Sequence, residues 1–386
     1  MEHEKEQPFQ WQIVGLQGTV DDLHEAPILY ICPETVPQLT ADDKKKLRAF
    51  TDTGGTILVE PSCGAPAVKE WFTALAKEVW PEWPLKPLGP DHGSFTDPNP
   101  LKERPEILGI DDGMRTCVFY ALDDISCPWQ TKALAGKKFM FLWGINMLTY
   151  ATDHGPLRAK LSVREFDKEK YPGPVRAGIR RAIRLARLKT DGDWTVNRNY
   201  KGFDRIISEA DKRAGIALTV EEAGMDPAGL GDRDAAYLVG SNGFTLAAAQ
   251  QAALKAYLAK DGFLWAEAAG GSAAFDDSIR KLATDMGWQI KTLDKTAPAM
   301  TGQFKTALGY DLTKGVQFRR SLKLLRQGKP SAQLEGIYQD GKLVGLYSPF
   351  DVVFSSTPYE AYGCKGYLPE DAVAVAMNIL ACISDR

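Results

Sequence analysis

The chain has 386 residues, 44% hydrophobic and 25% charged, with a formal net charge of −3. It is long enough for two domains that each bury a core, and its composition is that of a globular protein. The small net charge gives no reason to expect nucleic acid or an anionic membrane as partner. The longest apolar stretches, Phe139–Ala151 and Ala372–Ile383, are too short to span a bilayer and contain Asn146 and Asn378.

In chain order, Pro27–Cys32 is a short apolar run with Tyr30 inside it, and predicts a buried strand. Thr40 with Asp43 three positions on predicts a capped helix over Ala41–Thr53, ended by Gly54-Gly55. A strand follows at Thr56–Glu60, then the loop Pro61-Ser62-Cys63-Gly64 and a second helix at about Val68–Val79. Further on, the charged stretch 156–182 contains Pro172-Gly173-Pro174 and reads as a linker. Its basic cluster (Arg176, Arg180, Arg181, then Arg184, Arg187 and Lys189) reads better as a solvated face than as an anion site. Beyond it come a strand at Ile183–Lys189, the run Asp191-Gly192-Asp193-Trp194 and a helix near Gly202–Arg213.

Residues 28–64 then reappear at 235–271 without a gap. Tyr30, Leu39, Ala41, Leu47, Ala49, Gly55, Glu60 and Gly64 meet Tyr237, Leu246, Ala248, Leu254, Ala256, Gly262, Glu267 and Gly271. The second block predicts the same succession: strand Ala235–Val239, helix Leu246–Lys260, strand Phe263–Glu267 and helix Phe275–Met286. Later segments pair too, Gly109-Ile110 with Gly336-Ile337, Tyr120 with Tyr347, and Asp124 with Asp351. So long a unit means two copies of one domain, about 1–155 and 183–386. Strand, helix, strand, helix with short glycine-marked loops predicts open, mainly parallel sheets flanked by helices, an α/β fold. The first copy has only about 25 residues ahead of its Tyr30 strand, so an opening strand and helix are expected to be missing from it.

The segments Gly54-Gly55 to Cys63-Gly64, Pro90-Asp91-His92, Gly109-Ile110 and Asp124-Ile125-Ser126-Cys127 resemble successive motifs of a bacterial family, domain of unknown function 4159. The second copy resembles it from Arg187-Leu188-Lys189 through Asp193-Trp194, and from Glu335 to Pro349. That resemblance implies a class I glutamine amidotransferase-like, flavodoxin-like fold in both copies, with trehalose-utilisation-type proteins among its relatives. It implies no reaction.

In such sheets ligands sit beyond the carboxyl ends of the strands. Cys63 lies in a loop of that kind, although Glu60 or Pro61 better matches the elbow where amidotransferases place their nucleophile. A catalytic reading makes Cys63 the nucleophile and His92 its base, with Glu60 or Asp91 orienting the histidine. The second copy has Gly270 where the first has Cys63, and all four histidines (His3, His24, His92, His154) lie in the first half. Glu60, Asp124, Glu267 and Asp351 recur between copies, as ligand-binding residues or as carboxylates that shape the turns. Trp194 offers an aromatic face for a sugar or base, or belongs to the core.

The favoured expectation is therefore a non-catalytic module binding a small molecule or a protein partner, with homo-oligomerisation left open. A Cys-dependent hydrolase or amidotransferase in the first copy, and a carbohydrate-related role, are the alternatives. Neither cofactor nor metal site is read from the sequence. Six scattered cysteines without a CxxC pair and a charged start without an apolar h-region lead to the expectation of a cytoplasmic protein.

Overall fold

A computed structural model describes residues 11–132, 135–155, 181–305 and 309–386. It forms two compact units, one holding the strands up to residue 121 and the other those from residue 181 onward. Most of the expected linker 156–182, with Arg176 and Arg180, lies outside the described residues. Arg181 and Ala182 open the first strand of the second unit.

The first unit contains β1 (Ile28–Ile31), β2 (Thr56–Val59), β3 (Lys86–Pro87), β4 (Ile107–Asp111) and β5 (Thr116–Ala121), in the spatial order β1-β2-β5-β4-β3. The strands β1, β2 and β5 are parallel, whereas β4 and β3 add antiparallel at one side. Alternation of side chains along the strands covers both faces. Ile57, Val59, Val118 and Tyr120 pack with Leu47 and Phe50 of the helix Ala41–Asp52 and with Phe72 and Leu75 of the helix Pro66–Val79. Leu58, Phe119 and Ala121 point the other way, against Met140, Trp143 and Met147 of the helix Lys138–Ala151. Each such large apolar side chain contributes about 1.5–3 kcal/mol on burial.

The second unit contains β6 (Arg181–Leu188), β7 (Ile216–Ala223), β8 (Ala235–Gly240), β9 (Leu264–Ala268), β10 (Gln289–Thr292), β11 (Glu335–Gln339) and β12 (Lys342–Ser348). Their order is β10-β11-β12-β9-β8-β6-β7, parallel from β12 to β7 and antiparallel at β11 and β10. The repeat places β8 on β1, β9 on β2 and β12 on β5. Among the described residues the second sheet is thus the first with β6 and β7 added beside β8.

Tyr30 departs from the expected buried strand, with 44% of its surface exposed. The cause is topological, because among the described residues β1 has a strand neighbour on one side only, whereas its counterpart Tyr237 is enclosed between β6 and β9.

The capping expected at Thr40 is present, its hydroxyl accepting the Asp43 amide while Asp43 accepts the Thr40 amide. Both closing apolar helices use their asparagine to clamp a passing loop. Asn146 accepts the Asn99 amide and donates to the Asn99 carbonyl. Asn378 does the same with Tyr310. Among the described residues no helix is long and apolar enough to cross a membrane.

Candidate functional site

Where β2 and β5 end, two carboxylates tie the following loops together. Glu60, buried immediately after β2, accepts the amides of Ile125 and Ser126 on one oxygen at 2.9 and 3.2 Å. Its other oxygen receives the Tyr30 hydroxyl and, at 3.4 Å, the Cys32 thiol. Asp124, half-buried, reaches back across the gap. Its Oδ2 accepts the Cys63 amide at 3.0 Å and its Oδ1 the Cys127 amide at 2.9 Å.

The second copy repeats this clamp with different residues around it. Glu267 Oε1 accepts the amides of Val352 and Val353 at 3.0 and 2.9 Å. Asp351 accepts the Gly270 amide at 2.8 Å and the Ser355 amide at 2.6 Å. Glu267 and Asp351 are both fully buried.

In place of the Tyr30 and Cys32 of the first copy, the fully buried Tyr237 neighbours Glu267 here. Burial first, and the nearby Asp351 charge second, push the Glu267 carboxyl up to about 8. Burial raises Asp351 as well. A neutral Glu267 is the physical consequence, since burial away from water disfavours the carboxylate by more than its donors, the Val352 and Val353 amides and the Tyr237 hydroxyl, stabilise it.

These four acids therefore meet in pairs, as the repeat suggests, but each gives at least one oxygen to backbone amides. Glu60, Glu267 and Asp351 are enclosed in the protein, so the ligand-lining role expected of them does not follow from direct exposure. What they do is fix the geometry of the loops at the strand ends.

The turn after β2 has the same backbone in both copies. Cys63 adopts φ 49°, ψ 25° within the 3₁₀ turn Ser62–Gly64, and Gly270 adopts φ 62°, ψ 5° within Ala269–Gly271. A non-glycine residue in this left-handed region costs roughly 1–2 kcal/mol. The first copy tolerates that strain to hold a cysteine where the second uses glycine. Cys63 is exposed, as is Cys127 in the first turn of the helix Ser126–Thr131 across from it. The sequence reading singled out Cys63 and missed Cys32 and Cys127. The available signal was that all three are specific to the first copy, their counterparts being Val239, Gly270 and Phe354.

His92 is elsewhere. Its Nε2 is 3.1 Å from the hydroxyl of Thr116, the first residue of β5, and Nδ1 accepts the Ser94 amide as a helix cap. The ring packs against Phe119 and Tyr150, and burial lowers its pKa to about 4. Cys63 stands beyond the opposite end of β5, beside Asp124. The length of the strand alone, about 17 Å, separates their attachment points. The cysteine and histidine of the catalytic reading are not brought together. His24, bonded to Thr53 just ahead of β2, and His154, just past the helix whose Tyr150 accepts the Thr116 amide, also lie at the amino-terminal end of the sheet. Asp91 is an exposed turn residue next to His92.

In the second unit the carboxyl ends of β6, β8, β9 and β12 converge. Asp193 accepts the amides of Ser241 and Asn242 at 3.0 Å each, joining the loop after β6 to the loop after β8. Ser272 donates to the Ser241 carbonyl at 2.6 Å, adding the loop after β9. Trp194, half-buried, lies on the first of these loops with the Lys189 ammonium 5.3 Å from its ring centroid. Arg187 belongs to no solvated face. It is buried, and its Nε donates to the Trp194 carbonyl at 2.9 Å, holding that loop in place. Among the described residues no three His, Cys, Asp or Glu side chains are grouped to hold a metal ion.

Two tandem α/β sheets, each with acid-clamped loops at the carboxyl ends of its parallel strands, define a duplicated-domain protein. The family described as domain of unknown function (DUF4159) matches residues 3–152 and again 184–383, and the chain belongs to it. A search among curated proteins finds no match.

Proposed function

We propose that the chain is a non-catalytic binding module on an amidotransferase-like fold, taking a small ligand at the strand-end loops of the second copy. The supporting observation is the placement of the histidines. All three described ones sit at the end of the first sheet away from Cys63, so none is near enough to take its proton. In this reading Glu60/Asp124 and Glu267/Asp351 preorganise the loops. Trp194, with Lys189 over its ring, supplies the aromatic face for a hydroxylated ligand such as a sugar. The two domains are 1–155 and 183–386 with 156–182 between them, and the location is cytoplasmic.

The test is a thermal-shift screen of mono- and oligosaccharides and nucleosides, on the parent and on Trp194→Ala. A ligand that stabilises the parent and loses its effect in Trp194→Ala supports the proposal. Turnover of an amide or ester that requires Cys63 and is untouched by Trp194→Ala would sink it.

One observation favours the rival hydrolase reading, the left-handed backbone at Cys63 between a strand and a helix. That reading requires a base other than the described histidines, and loss of activity in Cys63→Ala is its test.

A further inference from the structure

Three of the six cysteines gather where β2 and β5 end. The amides of Cys63 and Cys127 are bound to the two oxygens of a single carboxylate, that of Asp124. Their backbones are therefore no further apart than one carboxylate and two hydrogen bonds. Both thiols are free and exposed. Cys32 is bonded to Glu60, which also accepts the Ile125 and Ser126 amides, and is half-buried.

Two independent observations single out the exposed pair. Cys63 occupies a left-handed position that the second copy gives to glycine, and strain of that kind is retained where a side chain has a task. The second copy also lacks the partner, having Phe354 at the position of Cys127. Both thiols are thus absent from the otherwise repeated clamp of the second copy.

We propose that Cys63 and Cys127 form a reversible dithiol–disulfide couple that locks the loops after β2 and β5 in the first copy. The oxidant is a low-molecular-mass disulfide. The Cys63 thiolate attacks one of its sulfurs, forming a mixed disulfide and expelling one small thiolate. The Cys127 thiolate then attacks the Cys63 sulfur, closing the protein disulfide and expelling the second. The two protons given up by the cysteines leave on the two small thiols, so two electrons pass from protein to oxidant.

A protein disulfide requires Cα atoms roughly 4.4–6.8 Å apart, so closing the bridge draws the Ser62–Gly64 turn and the first turn of the helix Ser126–Thr131 together across the carboxylate that both amides share. The bridge would replace a hydrogen-bonded clamp with a covalent one. The second copy, with Gly270 and Phe354, would be blind to the same oxidant. This proposal does not rest on the binding reading.

The test treats the full chain with oxidised glutathione and maps its cysteine peptides by mass. The expected product joins the Cys63 and Cys127 peptides, has lost two hydrogens and carries no glutathione. Cys127→Ser should instead accumulate glutathione on Cys63, and Cys63→Ser on Cys127, since neither can complete the second step. A parent chain capped at Cys63 and Cys127 as heavily as the two variants overturns the proposal. So does a crosslink to Cys32, or a chain left reduced under conditions that cap the single variants.

Discussion

Asp351 holds the amide of Gly270 at 2.8 Å, joining loops that are 81 residues apart in the chain. Asp124 holds Cys63 in the same way at 3.0 Å in the first copy. The relationship survives duplication because it satisfies a polar group at a turn that has no strand partner, a need imposed by the fold and independent of any ligand.

The two clamps should differ in strength. Asp351 is fully buried, so Asp351→Ala strands the Gly270 and Ser355 amides away from water. At about 1–3 kcal/mol per unsatisfied group, a loss of about 2–6 kcal/mol is expected. Asp124 is half-exposed, and water can replace its carboxylate, so Asp124→Ala should lose only about 1 kcal/mol. Urea denaturation followed separately for each unit measures both, and equal losses would contradict the assignment.

Glu267 should make the second unit pH-sensitive. Its carboxyl is raised in the folded state from an ordinary 4.5 to about 8. Below the lower value both states hold the proton, and the contribution to stability is fully present. As pH rises through the window, the unfolded chain releases the proton first, so stability falls until about 8 and then levels. Glu267→Gln mimics the neutral acid and should flatten this decline in melting temperature between pH 5 and 8. Parallel pH profiles for parent and variant would refute it.

The turns after β2 and β9 offer a comparison at matched positions. Cys63→Gly should stabilise the first unit by up to about 1 kcal/mol by releasing left-handed strain. Gly271, at φ +69°, has no room for a side chain, since a Cβ would lie 2.6 Å from that of Lys365 and 2.9 Å from its carbonyl oxygen. Gly271→Ala should therefore lose about 3 kcal/mol, from strain and collision together. At the equivalent Gly64 a Cβ meets nothing within 4 Å, so Gly64→Ala should lose only the strain, about 1 kcal/mol. Chemical denaturation of the three variants ranks them.

Much of this architecture was legible because a fold repeats what it needs. Tyr30/Tyr237, Glu60/Glu267 and Asp124/Asp351 were found by offset alone, and the structure places each at equivalent points. Among the described residues the first sheet lacks counterparts of β6 and β7. What the sequence hid was direction. Glu60 and Asp351 recur whether their oxygens face a cleft or a backbone amide, and only packing distinguishes the two. His92 follows a turn that resembles a strand-end loop, yet the ring lies on the face of the sheet between Phe119 and Tyr150. Burial of that kind depends on the helix Lys138–Ala151, far along the chain. Cys127 was passed over because its neighbourhood with Cys63 exists only through Asp124.

The unequal sheets give the two copies different lifetimes. Among the described residues the backbone of β8 is gripped from both sides, by β6 and β9, whereas β1 is gripped by β2 alone. In deuterated buffer the amides of Ile28–Ile31 should exchange through local fraying, and those of Ala235–Gly240 only when the second sheet comes apart. One ancestral strand would then keep two clocks within a single chain, a fast one at a sheet margin and a slow one in a sheet interior.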